Sequence, residues 1–176
     1  MAKTGLQKIL EADFLGNLVK QGEARKEKTE CSGIDYDELE KMWDELLANP
    51  ISTIETIDAN SFPPSCNDKK PYVIFFSANW CKPCKLRKPT YAMFSRFFTK
   101  AQLFYTQDEQ LAKEQEVTRY PTLIAYFPNG TSVESSIPLT TLEFWDTLNK
   151  LIALGQNYSG KGRLACTENE CKIESL

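Results

Sequence analysis

The stretch "FFSANWCKPCKLRKPTYAMF", residues 75–94, holds the residues of this chain best suited to chemistry. Cys81 and Cys84 flank Lys82-Pro83, just after an apolar run and just before a basic one. A C-x-x-C pair serves as a redox couple, as half of a zinc site or as a structural bridge, and spacing alone leaves all three open. The surroundings favour the first. An apolar strand running into Trp80-Cys81 and then a helix puts Cys81 at the helix amino end, where unpaired N–H groups and the helix dipole favour negative charge. The thiolate is the nucleophile: at a free pKa near 8.5 only about 3% of a thiol is ionised at pH 7, and a pKa near 7 makes it roughly half ionised. Lys82, Lys85, Arg87 and Lys88 add positive potential in the same direction. Cys84 follows about one helical turn on, within disulfide reach. Pro83 suits a first turn, whereas Pro89 falls inside the helix and is expected to bend it. The mechanism that follows is attack by Cys81 on a substrate disulfide, then attack by Cys84 on Cys81 to release the reduced product.

The elements that must position this pair are legible on both sides of it. "ISTIETID" alternates like a strand, "ANSFPPSCNDKK" is a loop, and "PYVIFFSA" is a continuous apolar run typical of a buried central strand. After the cysteines, Leu86, Thr90, Met93, Phe94 and Phe97 recur at helical spacing. "AQLFYT" is a strand and "DEQLAKEQEV" a short helix; "PTLIAYF" and "TSVESSI" are strands joined by the turn signal "PNG". "LTTLEFWDTLNKLIALG" is a final amphipathic helix, capped by Thr140 or Thr141 and stopped by Gly155. This order implies an α/β chain with a central mixed sheet covered by helices on both faces. Residues 156–176 are polar and expected to form a flexible, cysteine-containing tail.

Ahead of this domain, residues 4–20 and 35–50 read as two helices with apolar stripes, Leu6 to Leu18 and Leu39 to Leu47, forming an N-terminal helical extension over residues 1–50. The extension is a packed addition or a partner-binding arm.

Composition excludes other classes. The 176 residues include no histidine, which removes Ser-His-Asp and Cys-His schemes and imidazole metal ligands. No Gly-rich phosphate loop is present. A net charge of −3 gives no general nucleic-acid surface, and no apolar run approaches a membrane span. The first residues are not an intact signal peptide. The expected location is cytoplasmic, with the periplasm or secretion as the alternative if a leader has been removed.

"WCKPCK" followed by Pro89, then "RYPT" some forty residues on, before an apolar strand and "NG", resembles the thioredoxin family over about residues 51–155. The resemblance implies a thioredoxin-like fold and a cis peptide bond at Pro121 beside the dithiol. It implies that the Tyr120 backbone pairs with an extended substrate segment while Trp80 and Pro83 flank the sulfur, with Lys82 and Thr122 completing the substrate-binding set. It also implies protein-disulfide oxidoreductase activity with Cys81 as nucleophile and Cys84 as resolving thiol. Disulfide-containing proteins would be substrates and a reductase or membrane electron donor would recycle the pair, with no cofactor beyond the pair itself. Three departures matter. The family's buried aspartate, six positions ahead of the first cysteine, is Phe75 here; by resemblance that carboxylate assists proton transfer during resolution. Lys-Pro replaces the commoner Gly-Pro, which favours the Cys81 thiolate and a more oxidising disulfide. Tyr120 is bulkier than the usual aliphatic and narrows substrate choice.

Cys166 and Cys171 admit several roles: a disulfide closing a small loop, two free thiols, a second redox pair exchanging with Cys81–Cys84, or a four-thiolate zinc site made with them. Cys31 and Cys66 bridge the extension to the core or are inert. Alternatives to the reductase are an exported oxidase or isomerase, and a partner-binding module that uses the N-terminal helices on a thioredoxin-like scaffold.

Overall fold

The structure, a computed structural model, describes residues 54–65 and 68–176, together with Ala48. The expected helices over 4–20 and 35–50 (Ala48 apart), Cys31 and Cys66 lie outside the described residues. The elements in chain order are β1 (Glu55–Thr56), β2 (Tyr72–Phe76), α1 (Lys82–Phe94), β3 (Gln102–Thr106), α2 (Glu109–Glu114), β4 (Thr122–Tyr126), β5 (Ser132–Ser136), α3 (Thr141–Gly155), β6 (Lys161–Cys166) and β7 (Cys171–Ser175). They build one mixed sheet in the order β1-β3-β2-β4-β5-β6-β7. β1, β3 and β2 run parallel; β4 is antiparallel to β2, β5 to β4 and β7 to β6, while β6 is parallel to β5.

The continuous apolar run at β2 reflects burial on both sides. Val73 and Phe75 face a core shared with α1 and α3, where Tyr91, Phe94, Phe144 and Leu148 pack. Ile74 and Phe76 face a second core closed by Leu111 and Ala112 of α2. The two long helices meet through aromatic rings: Phe94 stands edge-on to Phe144 with centroids 5.0 Å apart, and to Trp145 at 5.1 Å. Thr140 caps α3 by accepting the Glu143 N–H at 3.3 Å. Gly155 is the last residue of α3, and its lack of a side chain serves packing: a Cβ there would strike the Phe127 ring. Gly130 of the β4–β5 turn has φ +85°, a conformation glycine adopts without steric cost.

Residues expected as a flexible tail instead extend the sheet. β6 and β7 form a hairpin whose inward positions, Gly162, Leu164, Cys171 and Ile173, alternate with Lys161, Arg163, Lys172 and Glu174. Leu164 joins the larger core, with Cys171 and Ile173 packed against it. The reason is period two: few apolar residues suffice when each alternate position faces a neighbour already buried. Cys166 and Cys171 lie directly opposite across the hairpin and are joined by a disulfide. The turn is also held by hydrogen bonds, the Thr167 N–H donating to the Glu170 carbonyl at 2.7 Å and the Glu170 N–H to the Thr167 hydroxyl at 3.2 Å. A ring this short gives a loop-closure stabilisation on the order of 2 kcal/mol, at the low end for disulfides.

Candidate active site

The chain leaves β2 at Phe76 and reaches α1 through five residues, the last of them Cys81. The Ser77 N–H donates to the Thr106 carbonyl and the Cys81 N–H to the Ala78 carbonyl, both at 3.0 Å, which fixes the turn. Cys81 is the N-cap of α1, and its sulfur accepts the N–H of Cys84 at 3.2 Å. Cys81 and Cys84 form a disulfide with Cα atoms 5.3 Å apart. Both are buried, Cys81 at 2% exposure and Cys84 at 0%. A thiolate at Cys81 faces the amino end of a thirteen-residue helix whose first turn carries Lys82 and no acid.

Opposite the pair, the Tyr120–Pro121 bond is cis, as expected from the resemblance. So is Phe62–Pro63, in a loop where no such bond was anticipated. Trp80 and Tyr120 meet edge to face, centroids 5.8 Å apart, so the residue before Cys81 touches the residue before the proline. Thr122 opens β4 in register with Phe76, and its hydroxyl donates to the Arg119 carbonyl at 2.7 Å, closing the loop around Pro121. Trp80, Lys82 and Pro83 are exposed and Tyr120 and Pro121 half-buried. Thr122 sits lower, buried, with its side chain turned to the loop. Burial, and secondarily the charge of Glu109, raises the Tyr120 phenol above its ordinary value.

Beneath the pair, Phe75 is fully buried between Tyr91 and Tyr105, with centroid distances of 5.1 and 5.6 Å. Aromatic carbon thus occupies the place where the family resemblance implied a carboxylate. Lys88, read from the sequence as one of four cations adding positive potential near Cys81, is 1% exposed, its Nζ 5.2 Å from the centroid of the Tyr105 ring. Its sequence spacing, four after Cys84, was the available sign that it shares the inward face of α1. Arg87 is a tie: its Nε donates to the Ile137 carbonyl and its Nη1 to the Pro83 carbonyl, both at 2.8 Å, joining the first turn of α1 to the end of β5. Cys166 and Cys171 are bonded to each other, so the four sulfurs form two separate disulfides.

A disulfide whose first sulfur caps a helix and which a cis-proline turn accompanies is the form of a thiol–disulfide exchange centre, and the chain is a thiol–disulfide oxidoreductase by fold and site. Residues 53–148 match the family model Thioredoxin, and the chain belongs to the thioredoxin family. It is 33% identical over 78 residues to thioredoxin-1 of Saccharomyces cerevisiae, a match spanning 43% of this chain and 75% of that one. It is 32% identical over 78 residues to the bifunctional thioredoxin reductase/thioredoxin of Mycobacterium leprae, spanning 42% of this chain and only 17% of that protein. Among solved structures, Schistosoma mansoni thioredoxin is similar at 21% identity and a TM-score of 0.47, over 57% of this chain and 96% of that one.

Proposed function

We propose that this chain reduces disulfides in protein substrates, with Cys81 as the attacking thiolate and Cys84 as the resolving thiol. The observation that carries this is the placement of Cys81 as cap of α1, bonded to Cys84, with Trp80 against Tyr120 of the cis-proline turn. In the reduced form, Cys81 attacks one sulfur of the substrate; the substrate bond breaks and the departing thiolate takes up a proton. Cys84 loses its proton and attacks Cys81, freeing the second substrate thiol and leaving the Cys81–Cys84 disulfide. The pair itself carries the two electrons. Phe75 offers no group to take the Cys84 proton, so water or the departing thiolate receives it. The rim of Trp80, Lys82, Pro83, Tyr120 and Pro121 would receive an extended substrate segment, and a dithiol reductase would return the electrons.

Cys81→Ser is expected to abolish turnover of a test protein disulfide, and Cys84→Ser to accumulate mixed disulfides at Cys81, both read by thiol-trapping electrophoresis. Full activity in Cys81→Ser removes the assignment.

A further inference from the structure

We propose that the hairpin disulfide Cys166–Cys171 is a second redox couple, reduced by the Cys81–Cys84 dithiol of another copy of the same chain. This rests on the function proposed above.

The topology brings both disulfides to one end of the sheet. β2 runs toward Cys81, and β4 starts from Pro121 beside it. β5 is antiparallel to β4, and β6, parallel to β5, delivers Cys166 to the same end, where β7 begins at Cys171. Within one molecule they stay apart. β2, β4, β5 and β6 are successive neighbours, so three strand spacings, about 14 Å, separate the β2 and β6 ends. Pairing between β5 and β6 stops at Glu134–Arg163, and a groove of about 360 Å³ opens beyond it, with Tyr120 and Pro121 on one side and Arg163 and Leu164 on the other. Sulfur exchange needs contact, and the β5–β6 pairing up to Glu134–Arg163 holds the hairpin on its own side of that groove. A second copy meets no such barrier.

The hairpin has the form of a substrate. Cys166 is exposed and Cys171 half-buried, so Cys166 is the more accessible residue to attack and Cys171 the leaving group. β7 is the outermost strand of the sheet among the described residues, an extended segment with one row of backbone groups facing outward. Its turn, Thr167–Glu170, presents the exposed carboxylates of Glu168 and Glu170. The end of the molecule holding Cys81 presents exposed Lys82 and Arg119, with Lys85 and Arg87 half-buried behind them. An acidic tip carrying an open disulfide complements a basic rim carrying a thiolate.

The exchange balances within the two copies. Cys81 of the first copy, as thiolate, attacks Sγ of Cys166 in the second. The Cys166–Cys171 bond breaks and Cys171 leaves as a thiolate that takes a proton from water. Cys84 of the first copy gives up its proton and attacks Cys81, releasing Cys166. The first copy ends oxidised at Cys81–Cys84 and the second reduced at its hairpin, two electrons having moved.

The test mixes two full-length variants. The reduced Cys84→Ser/Cys166→Ser/Cys171→Ser chain is the trap, and Cys81→Ser/Cys84→Ser with its hairpin oxidised is the target. The expected product is a covalent pair that peptide mapping shows joined from Cys81 to Cys166. Glu168→Lys/Glu170→Lys in the target slows its formation about tenfold at low salt, and added salt narrows the difference. Oxidised insulin offered to the same trap separates the possible failures. Capture of insulin without capture of the hairpin overturns this inference and leaves the proposed function standing. Capture of neither removes both. A bond to Cys171, or a rate indifferent to charge reversal, overturns the docking described. In the unaltered chain, with only Cys81–Cys84 reduced at the start, the half-life of the hairpin disulfide shortens in proportion to protein concentration; a half-life independent of concentration overturns exchange between copies.

Discussion

One sulfur at Cys81 caps α1 and forms the bond to Cys84, so the helix end and the redox centre are the same structure. The residues around it divide between holding and meeting. Arg87 ties the first helical turn to β5, and Lys88 and Phe75 fill the space below with a buried cation and a ring. Trp80 does neither of the holding tasks. It is 72% exposed and touches Tyr120 only at its edge, so little apolar area is lost when it is truncated. Trp80→Ala is therefore expected to leave stability within about 0.5 kcal/mol, as surface changes commonly do. If the rim receives an extended protein segment, the same change raises KM and lowers kcat/KM for a protein disulfide about tenfold, the scale of a partly desolvated aromatic contact. A small aromatic disulfide, too short to span the rim, is the control and is expected to react at an unchanged rate. Equal losses for both substrates, or a loss confined to kcat, would assign Trp80 to the chemistry of Cys81 and not to the rim.

Among the elements, α3 and the β6–β7 hairpin show what sequence patterns carry and what they omit. The eight apolar residues from Leu142 to Leu154 and the Thr140 cap made α3 plain from sequence, and α3 does end at Gly155, but the structure adds a reason for glycine there that the sequence did not show, close approach to Phe127. Helix propensity and packing predict opposite outcomes for Gly155→Ala. As a mere helix residue, alanine would stabilise by up to about 1 kcal/mol. Against the buried Phe127 ring, the added methyl forces a shift whose cost is typically 1–3 kcal/mol, so net destabilisation is expected, measured as a lower urea midpoint with unchanged slope. A raised midpoint would show that the Phe127 ring swings aside. The hairpin escaped the sequence because its signal is Leu164 and Ile173 set among charges, and polarity in composition hid alternation in position. Composition does not reveal that the sheet edge at β5 is available to receive a strand.

At the scale of the whole molecule, the parts legible in the sequence were those set by local rules. The apolar run at β2, the cysteine spacing and Tyr120-Pro121 each follow from neighbours in the chain, and they bring Trp80 against Tyr120. What depends on distant partners was less legible: the Lys88 spacing hinted at its burial and a Cys166–Cys171 loop disulfide was one reading among four, while which hydroxyls the two cores enclose left no sign. Those hydroxyls make the sheet sensitive to alkali on both faces. Tyr91, in the larger core, donates to the Phe104 carbonyl at 2.7 Å; Tyr126, against the smaller one, donates to Gln115 Oε1 at 2.9 Å. Burial pushes both phenols up, Tyr126 further through the neighbouring Tyr72. Their folded-state pKa values exceed the unfolded value near 10, so the folded chain binds more protons once pH passes that point. Stability is fully present below about pH 10 and falls above it, by about 1.4 kcal/mol per pH unit for each tyrosine that stays protonated in the fold. Urea midpoints taken from pH 8 to 11 are expected to be set by other groups up to about pH 10 and then to drop. Tyr91→Phe costs about 1–2 kcal/mol at pH 7 through the lost hydrogen bond, and it removes the Tyr91 share of the alkaline slope. A midpoint that holds level through pH 11 in the unaltered chain would mean that the phenols ionise in place, and that neither core is closed to hydroxide.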